Sequence, residues 1–178
     1  LVRKYVDMAA EAGIDNVIVR IENFVSFEAL DEKLADAIKR AENADVNILF
    51  ETIGYLSNTE NVLGIINHFA SAVIGASWNV RGTYFGAGET SEATIKTLGA
   101  YIKYVRLGDM KDGKTVLIGE GDLEVGKLLG ALSSLNYEGF ICAAWNEEIA
   151  DADIVLTHFT NYISSLARNK KVFDRTYY

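Results

Sequence analysis

Hydrophobic positions along this chain switch repeatedly between a helical period and a strand period. Leu1, Val2, Tyr5, Val6, Ala9 and Ala12 recur at helical spacing, and Gly13 supplies a stop. Val17-Ile18-Val19-Arg20 then reads as a β-branched strand. Leu30, Leu34, Ala37, Ile38 and Ala41 predict a helix, and Val46 to Phe50 a strand. After Ser57-Asn58-Thr59, a helix-start signal, the helix carries Val62, Leu63, Ile65, Ile66 and Phe69. Ala72 to Trp78 is the third strand, and Thr90 or Ser91 caps the helix bearing Ile95 and Leu98. Tyr101 to Leu107 is the fourth strand, followed by a tight turn at Asp112-Gly113. A helix through Leu123, Leu128, Leu129, Leu132 and Leu135, a strand from Gly139 to Trp145, and a last helix from Ile154 to Leu166 complete the pattern.

Strands beginning near residues 17, 47, 72, 101 and 139, each followed by a helix, imply parallel βα units in an α/β fold. Two architectures satisfy this: an open, flavodoxin-like doubly wound sheet, or about five strands of a (β/α)8 barrel. No G-x-G-x-x-G follows the first strand, so a dinucleotide site has no phosphate loop. Both architectures place chemistry at the carboxyl ends of the strands.

Composition narrows the class. With 178 residues, 49% hydrophobic and 24% charged, the chain suits a single domain over residues 1–178. A formal net charge of −8 argues against a nucleic-acid partner, which needs a basic face. No apolar stretch approaches the ~20 residues that span a bilayer, so no membrane partner is expected. The lone cysteine, Cys142, has no internal disulfide partner, which points to a reducing cytoplasm. Proline is absent, and no functional reading attaches to that. Leu1, rather than Met, opens the chain inside a helical pattern, so the expectation is a piece cut from a larger multidomain protein.

The strand ends carry Glu51, then Asn79 with Arg81, then Arg106 with Asp109, and finally Ala144-Trp145-Asn146-Glu147-Glu148. Side chains alternate across a strand. Asn47, Leu49 and Glu51 therefore share one face, as do Val73, Gly75, Ser77 and Asn79, then Ile102, Tyr104 and Arg106, and then Phe140, Cys142 and Ala144. If these faces all look inward, Glu51, Asn79, Arg106 and Ala144 meet at one mouth. A charge at the end of a buried strand needs a partner or a ligand.

The runs ILFETIGYL (48–56), SWNVRGTYFGAGE (77–89), YIKYVRLGDMKDGK (101–114), LIGEGDLEV (117–125) and NYEGFICAAW (136–145) resemble, in order, the second half of the xylose isomerase-like TIM barrels. That family includes sugar-phosphate isomerases, epimerases and endonuclease-IV-type enzymes. The resemblance implies a barrel's third helix through its eighth strand and last helix, with the first three strands missing. It also implies a divalent metal such as Mn, Zn or Mg, held by a glutamate, an aspartate, a histidine and a second glutamate on successive strands. Only the first is kept, as Glu51. The aspartate of the family's W-D pair is Asn79, the histidine three residues on is Gly82, and the H-x-K-D strand end reads Arg106-Leu107-Gly108-Asp109. The final E-W pair reads Ala144-Trp145.

A hard cation needs several oxygen or imidazole ligands, and a guanidinium cannot be deprotonated to provide one. The expectation is a domain without a bound metal, a pseudoenzyme-like relative serving a binding, regulatory or structural role. The alternative is an active sugar isomerase or epimerase with a relocated or metal-free site, to which Glu147 and Glu148 could contribute. Whether the chain is an enzyme stays open at this level. Glu51, Arg106 and Asp109 are the candidates for catalysis, and Glu51, Asn79, Arg81, Arg106 and Trp145 for contact with a sugar or sugar-phosphate ligand. For Arg106 the preferred reading is an ion pair with Glu51; the alternative is a grip on a ligand's phosphate or carboxylate. The Asn79–Phe85 loop, with Arg81, Tyr84 and Phe85, either binds a sugar ring or packs.

The remaining candidates read as structure. His68 and His158 fall within amphipathic helices, Cys142 reads as core, and Gly119-Glu120-Gly121-Asp122 as a turn with Asp122 as N-cap. Five strands cut from a barrel expose two edges, so self-association or contact with the rest of a parent protein is expected.

Overall fold

The computed structural model describes residues 1–145 and 151–174. Its elements follow the sequence pattern: α1 (Val2–Ala12), β1 (Asn16–Val19), α2 (Phe27–Ala44), β2 (Asn47–Glu51), α3 (Thr59–Phe69), β3 (Ile74–Asn79), α4 (Ser91–Leu98), β4 (Ile102–Leu107), β5 (Asp109–Lys111), β6 (Lys114–Val116), α5 (Val125–Ser134), β7 (Phe140–Ala143) and α6 (Ala152–Asp174). Local chemistry sets the boundaries. Gly13, at φ 66°, closes α1 with its N–H on the Ala9 and Ala10 carbonyls. The side chains of Ser26, Asn58 and Thr90 accept from the first turns of α2, α3 and α4. Asp112 (φ 50°) and Gly113 (φ 75°) make the two-residue β5–β6 hairpin turn that their dipeptide predicts.

Five strands form one parallel sheet in the order β1-β2-β3-β4-β7. A doubly wound sheet reverses its strand order at a switch point. Here the order never reverses, so the sheet is the wall of a half-barrel and the flavodoxin-like alternative is excluded. Outward-facing Ile48, Phe50, Ile74, Trp78 and Val105 bury themselves in one hydrophobic core with the inward stripes of the helices, including Leu34, Ile38, Val62, Ile65 and Leu128.

The inner face is sealed in the middle and open at the sides. Leu49, Glu51 and Ser77 are fully buried, whereas Ile18 on β1 is 36% exposed and Phe140 on β7 is 78% exposed. Cys142 is exposed as well, contrary to its expected place in the core. Its strand is the sheet's last, and its register partner Arg106 places it on the uncovered face.

Two other expectations are corrected. A register shift between Ala76 and Ser77 sets Ile102 opposite Ala76 but Tyr104 opposite Ser77. Ile102 therefore leaves the inner face and joins the core between sheet and helices. The residue before α5 is Glu124 rather than Asp122. No helix among the described residues is long and apolar enough to cross a membrane.

Candidate functional site

Register carries side chains to the mouth in a row. Glu51 pairs with Ser77, Asn79 with Arg106, and Arg106 with Cys142, all on the inner face at the carboxyl ends of their strands. Arg20 lies one residue beyond Val19, which pairs with Phe50, so it stands level with Glu51 on the neighbouring strand.

Glu51 is the hub. Arg20 donates from Nε to its Oε2. The Asn79 amide donates from Nδ2 to its Oε1 at 2.9 Å, and Arg106 Nε lies 3.4 Å from the same oxygen. Burial pushes the Glu51 carboxyl up. The Arg20 and Asn79 hydrogen bonds and the charge of Arg106 outweigh it, holding the group below the ordinary 4.5. Glu51 is thus an ionised, fully buried carboxylate with both oxygens engaged. The Arg20 guanidinium is raised in turn by its hydrogen bond to Glu51.

Asn79 is oriented from two sides. Its Oδ1 accepts from the Gly82 N–H at 3.4 Å, while its backbone N–H donates to Thr52 Oγ1 at 2.8 Å. This fixes Nδ2 as the group facing Glu51. A carboxylate here would set a second anionic oxygen against Oε1 in place of a donor.

The loop after β3 winds as a single π-helical turn, Arg81–Gly86. Buried Trp78 anchors it by donating from Nε1 to Thr83 Oγ1 at 2.8 Å. Gly82 presses on β2: a Cβ there would stand 2.0 Å from the Thr52 carbonyl oxygen. At the end of β4, a Cβ on Gly108 would stand 2.2 Å from the Ala144 carbonyl oxygen and 2.9 Å from Arg81 Cδ. The two positions that carry a histidine and a lysine in the resembled family are therefore closed to any side chain.

A cleft of about 630 Å³ opens at this mouth, lined by Arg20, Asn79, Arg81, Arg106, Ala144 and Trp145. Phe85 and Ile53 add apolar surface to its rim. The sequence places Glu51, Asn79, Arg106, Ala144, Arg81 and Trp145 together, and they do come together. Asp109 does not join them. It is buried, and its carboxylate accepts from the backbone N–H groups of Met110, Gly119, Gly121 and Leu123 at 2.8–3.1 Å. The Gly119–Gly121 segment thus cradles an anion, but that anion is the chain's own aspartate, and the cradle ties the hairpin to α5.

Arg20 is the site residue that sequence reasoning missed. Its signal was present, a charge at the carboxyl end of a β-branched strand, the same feature that singled out Arg106. Glu147 and Glu148 lie outside the described residues. His68 sits on α3 against Asp31 at 2.8 Å, and His158 bonds the Ile118 carbonyl at 2.8 Å; neither lines the cleft.

A divalent metal does not fit these residues. Glu51 offers no free oxygen, Asn79 presents donor hydrogens, and Arg106 brings a fixed positive charge to the same point. Among the described residues, no three His, Cys, Asp or Glu side chains gather into a metal-binding group.

Comparison with known proteins agrees with the half-barrel. The family described as xylose isomerase-like TIM barrel matches residues 1–161. No curated protein matches the chain. Among solved structures, a xylose isomerase domain protein from Planctomyces limnophilus superposes with a TM-score of 0.76 at 18% identity, over 94% of this chain and 63% of its own. An L-ribulose 3-epimerase gives 0.77 at 14% identity, over 97% and 69%. An AP endonuclease, family 2, from Brucella melitensis gives 0.72 at 15% identity, over 90% and 67%. The chain therefore spans about two thirds of these barrels, and at such identities the likeness is one of fold. With the family matched over nearly its whole length, this chain belongs to the xylose isomerase-like TIM barrels.

Proposed function

We propose that this chain is a carbohydrate-binding part of such a barrel that no longer carries metal-dependent isomerase or epimerase chemistry, and that it serves a binding, regulatory or structural role in a larger protein. The observation that carries this reading is the state of Glu51, whose two oxygens are taken by Arg20, Asn79 and Arg106. Interconverting a ketose with its epimer needs a base to remove a proton and a positive centre to hold the resulting oxyanion. A buried carboxylate held below its ordinary range by two hydrogen bonds and the charge of Arg106 is a weak base. Asp109 is spent on four backbone N–H groups. Gly82 and Gly108 leave no room for the side chains that relatives carry there.

The cleft is lined by the aromatic residues Phe85 and Trp145 together with polar side chains. Solved relatives named as sugar isomerase and epimerase proteins support a sugar as the ligand class. The test is incubation with L-ribulose and D-fructose in the presence of Mn²⁺, with epimers followed by chromatography. Sugar binding without conversion is the expected result. Turnover would make the chain an active isomerase or epimerase with a relocated or metal-free site.

A further inference from the structure

We infer that the mouth has become an anion site, in which Arg81 and Arg106 clamp the phosphate or carboxylate of a sugar derivative; this rests on the metal-free reading above. Three guanidinium groups, Arg20, Arg81 and Arg106, line the cleft, and Glu51 is the one carboxylate among the described residues in contact with them. The local balance among the described residues is thus +2, on a chain whose formal net charge is −8. A ligand anion is the natural complement of that surplus.

The three arginines are committed to different degrees. Arg20 is locked to Glu51 through Nε. Arg106 meets Glu51 through Nε at 3.4 Å, with a third of its side chain exposed (32%), and among the described residues its terminal nitrogens have no acceptor. The Arg81 side chain has no ion pair or hydrogen bond among the described residues, yet its stem is packed and its backbone is held. Its Cδ packs over Gly108, and its backbone belongs to the turn pinned by Trp78 and Thr83. A half-buried guanidinium without a partner among the described residues, lining the same cleft as a second partly free one, offers forked donors suited to a phosphate or carboxylate. The rest of a sugar would lie against Phe85 and Trp145.

Calorimetric titration of the purified protein with D-fructose, D-fructose 6-phosphate, D-gluconate and inorganic phosphate tests this. At least one of the two anionic sugars should bind about tenfold or more tightly than neutral D-fructose. The tighter of the two identifies phosphate or carboxylate as the anchoring group. Arg81→Gln should weaken that ligand about tenfold or more, Arg81→Lys should fall between, and added salt should weaken binding. The Arg81 side chain has no partner among the described residues, so circular dichroism of both variants should match the parent. Equal binding of neutral and anionic sugars, unchanged by Arg81→Gln, would overturn the inference while leaving the sugar-binding reading intact. Phosphate binding insensitive to Arg81→Gln would also overturn it. A sugar that binds only after stoichiometric loading with Mn²⁺ would overturn the metal-free reading itself.

Discussion

Arg106 Nε stands 3.4 Å from Oε1 of Glu51, at the strand end where the resembled family places a metal-binding histidine. A fixed positive charge therefore stands beside the buried carboxylate. The carboxylate that would be stranded without a metal is satisfied instead by Arg106, Asn79 and Arg20, and a satisfied buried charge is tolerated where an orphan is not.

Acid should undo this arrangement. The folded carboxyl of Glu51 lies below 4.5, so its ionisation contributes stability that is complete above the unfolded pKa and disappears as pH falls through the folded one. Urea denaturation of the parent and of Glu51→Gln should differ by roughly 1–3 kcal/mol at pH 7, in the parent's favour. That gap should narrow as pH falls below the ordinary carboxyl range and close once it is below the lowered pKa of the folded protein. A gap independent of pH would mean that Glu51 is not held as the anion.

Gly82 and Gly108 should resist even a methyl group. Gly82→Ala and Gly108→Ala each push a Cβ to within 2.2 Å of a backbone carbonyl oxygen, and overpacking of this kind costs about 1–3 kcal/mol or more. Gly64→Ala in α3 is the control. It meets nothing within 4 Å and should gain about 0.5–1 kcal/mol from helix propensity. Thermal midpoints of the three variants check the ordering.

Asp109 should behave as a structural residue. Asp109→Asn keeps the size but replaces one acceptor oxygen with an NH₂ facing backbone N–H groups. A loss of roughly 2–4 kcal/mol is expected from the four bonds it disturbs. Sugar affinity measured on the folded fraction should stay within about twofold of the parent. A large affinity loss at unchanged stability would place Asp109 in the ligand site instead.

The half-barrel's open flank should make it associate. Tyr5, Met8, Ile14 and Ile18 are exposed around α1 and the free edge of β1, and Phe140 is exposed on the last strand of the sheet. Sedimentation velocity of the isolated chain should show concentration-dependent self-association. Charged substitutions such as Ile18→Lys should abolish it, and a monodisperse monomer at high concentration would contradict it.

Much of this was legible in the residues. Helix stops, caps and β-branched runs reported their own boundaries, because Gly13, Asn58 and Thr90 act within one turn of chain. The convergence of Glu51, Asn79 and Arg106 followed from strand alternation once their faces were set inward. What escaped depended on long-range geometry. The bulge that turns Ile102 outward has no residue signature. Cys142 is apolar enough for a core but lies where no strand covers it. Arg20 carries the same strand-end charge as Arg106, but only the register of β1 with β2 brings it level with Glu51. The cradle around Asp109 is likewise assembled from N–H groups up to 14 residues away.

The most direct test of the account is a calorimetric titration of the chelator-treated protein with Mn²⁺ and Zn²⁺, run beside the triple variant Asn79→Asp, Arg106→His, Ala144→Glu. The parent should bind no stoichiometric metal. In the variant, removal of the guanidinium and restoration of three ligands should yield about one bound metal per chain. One tightly bound equivalent in the parent would contradict the claim that Arg106 has taken the metal's place beside Glu51.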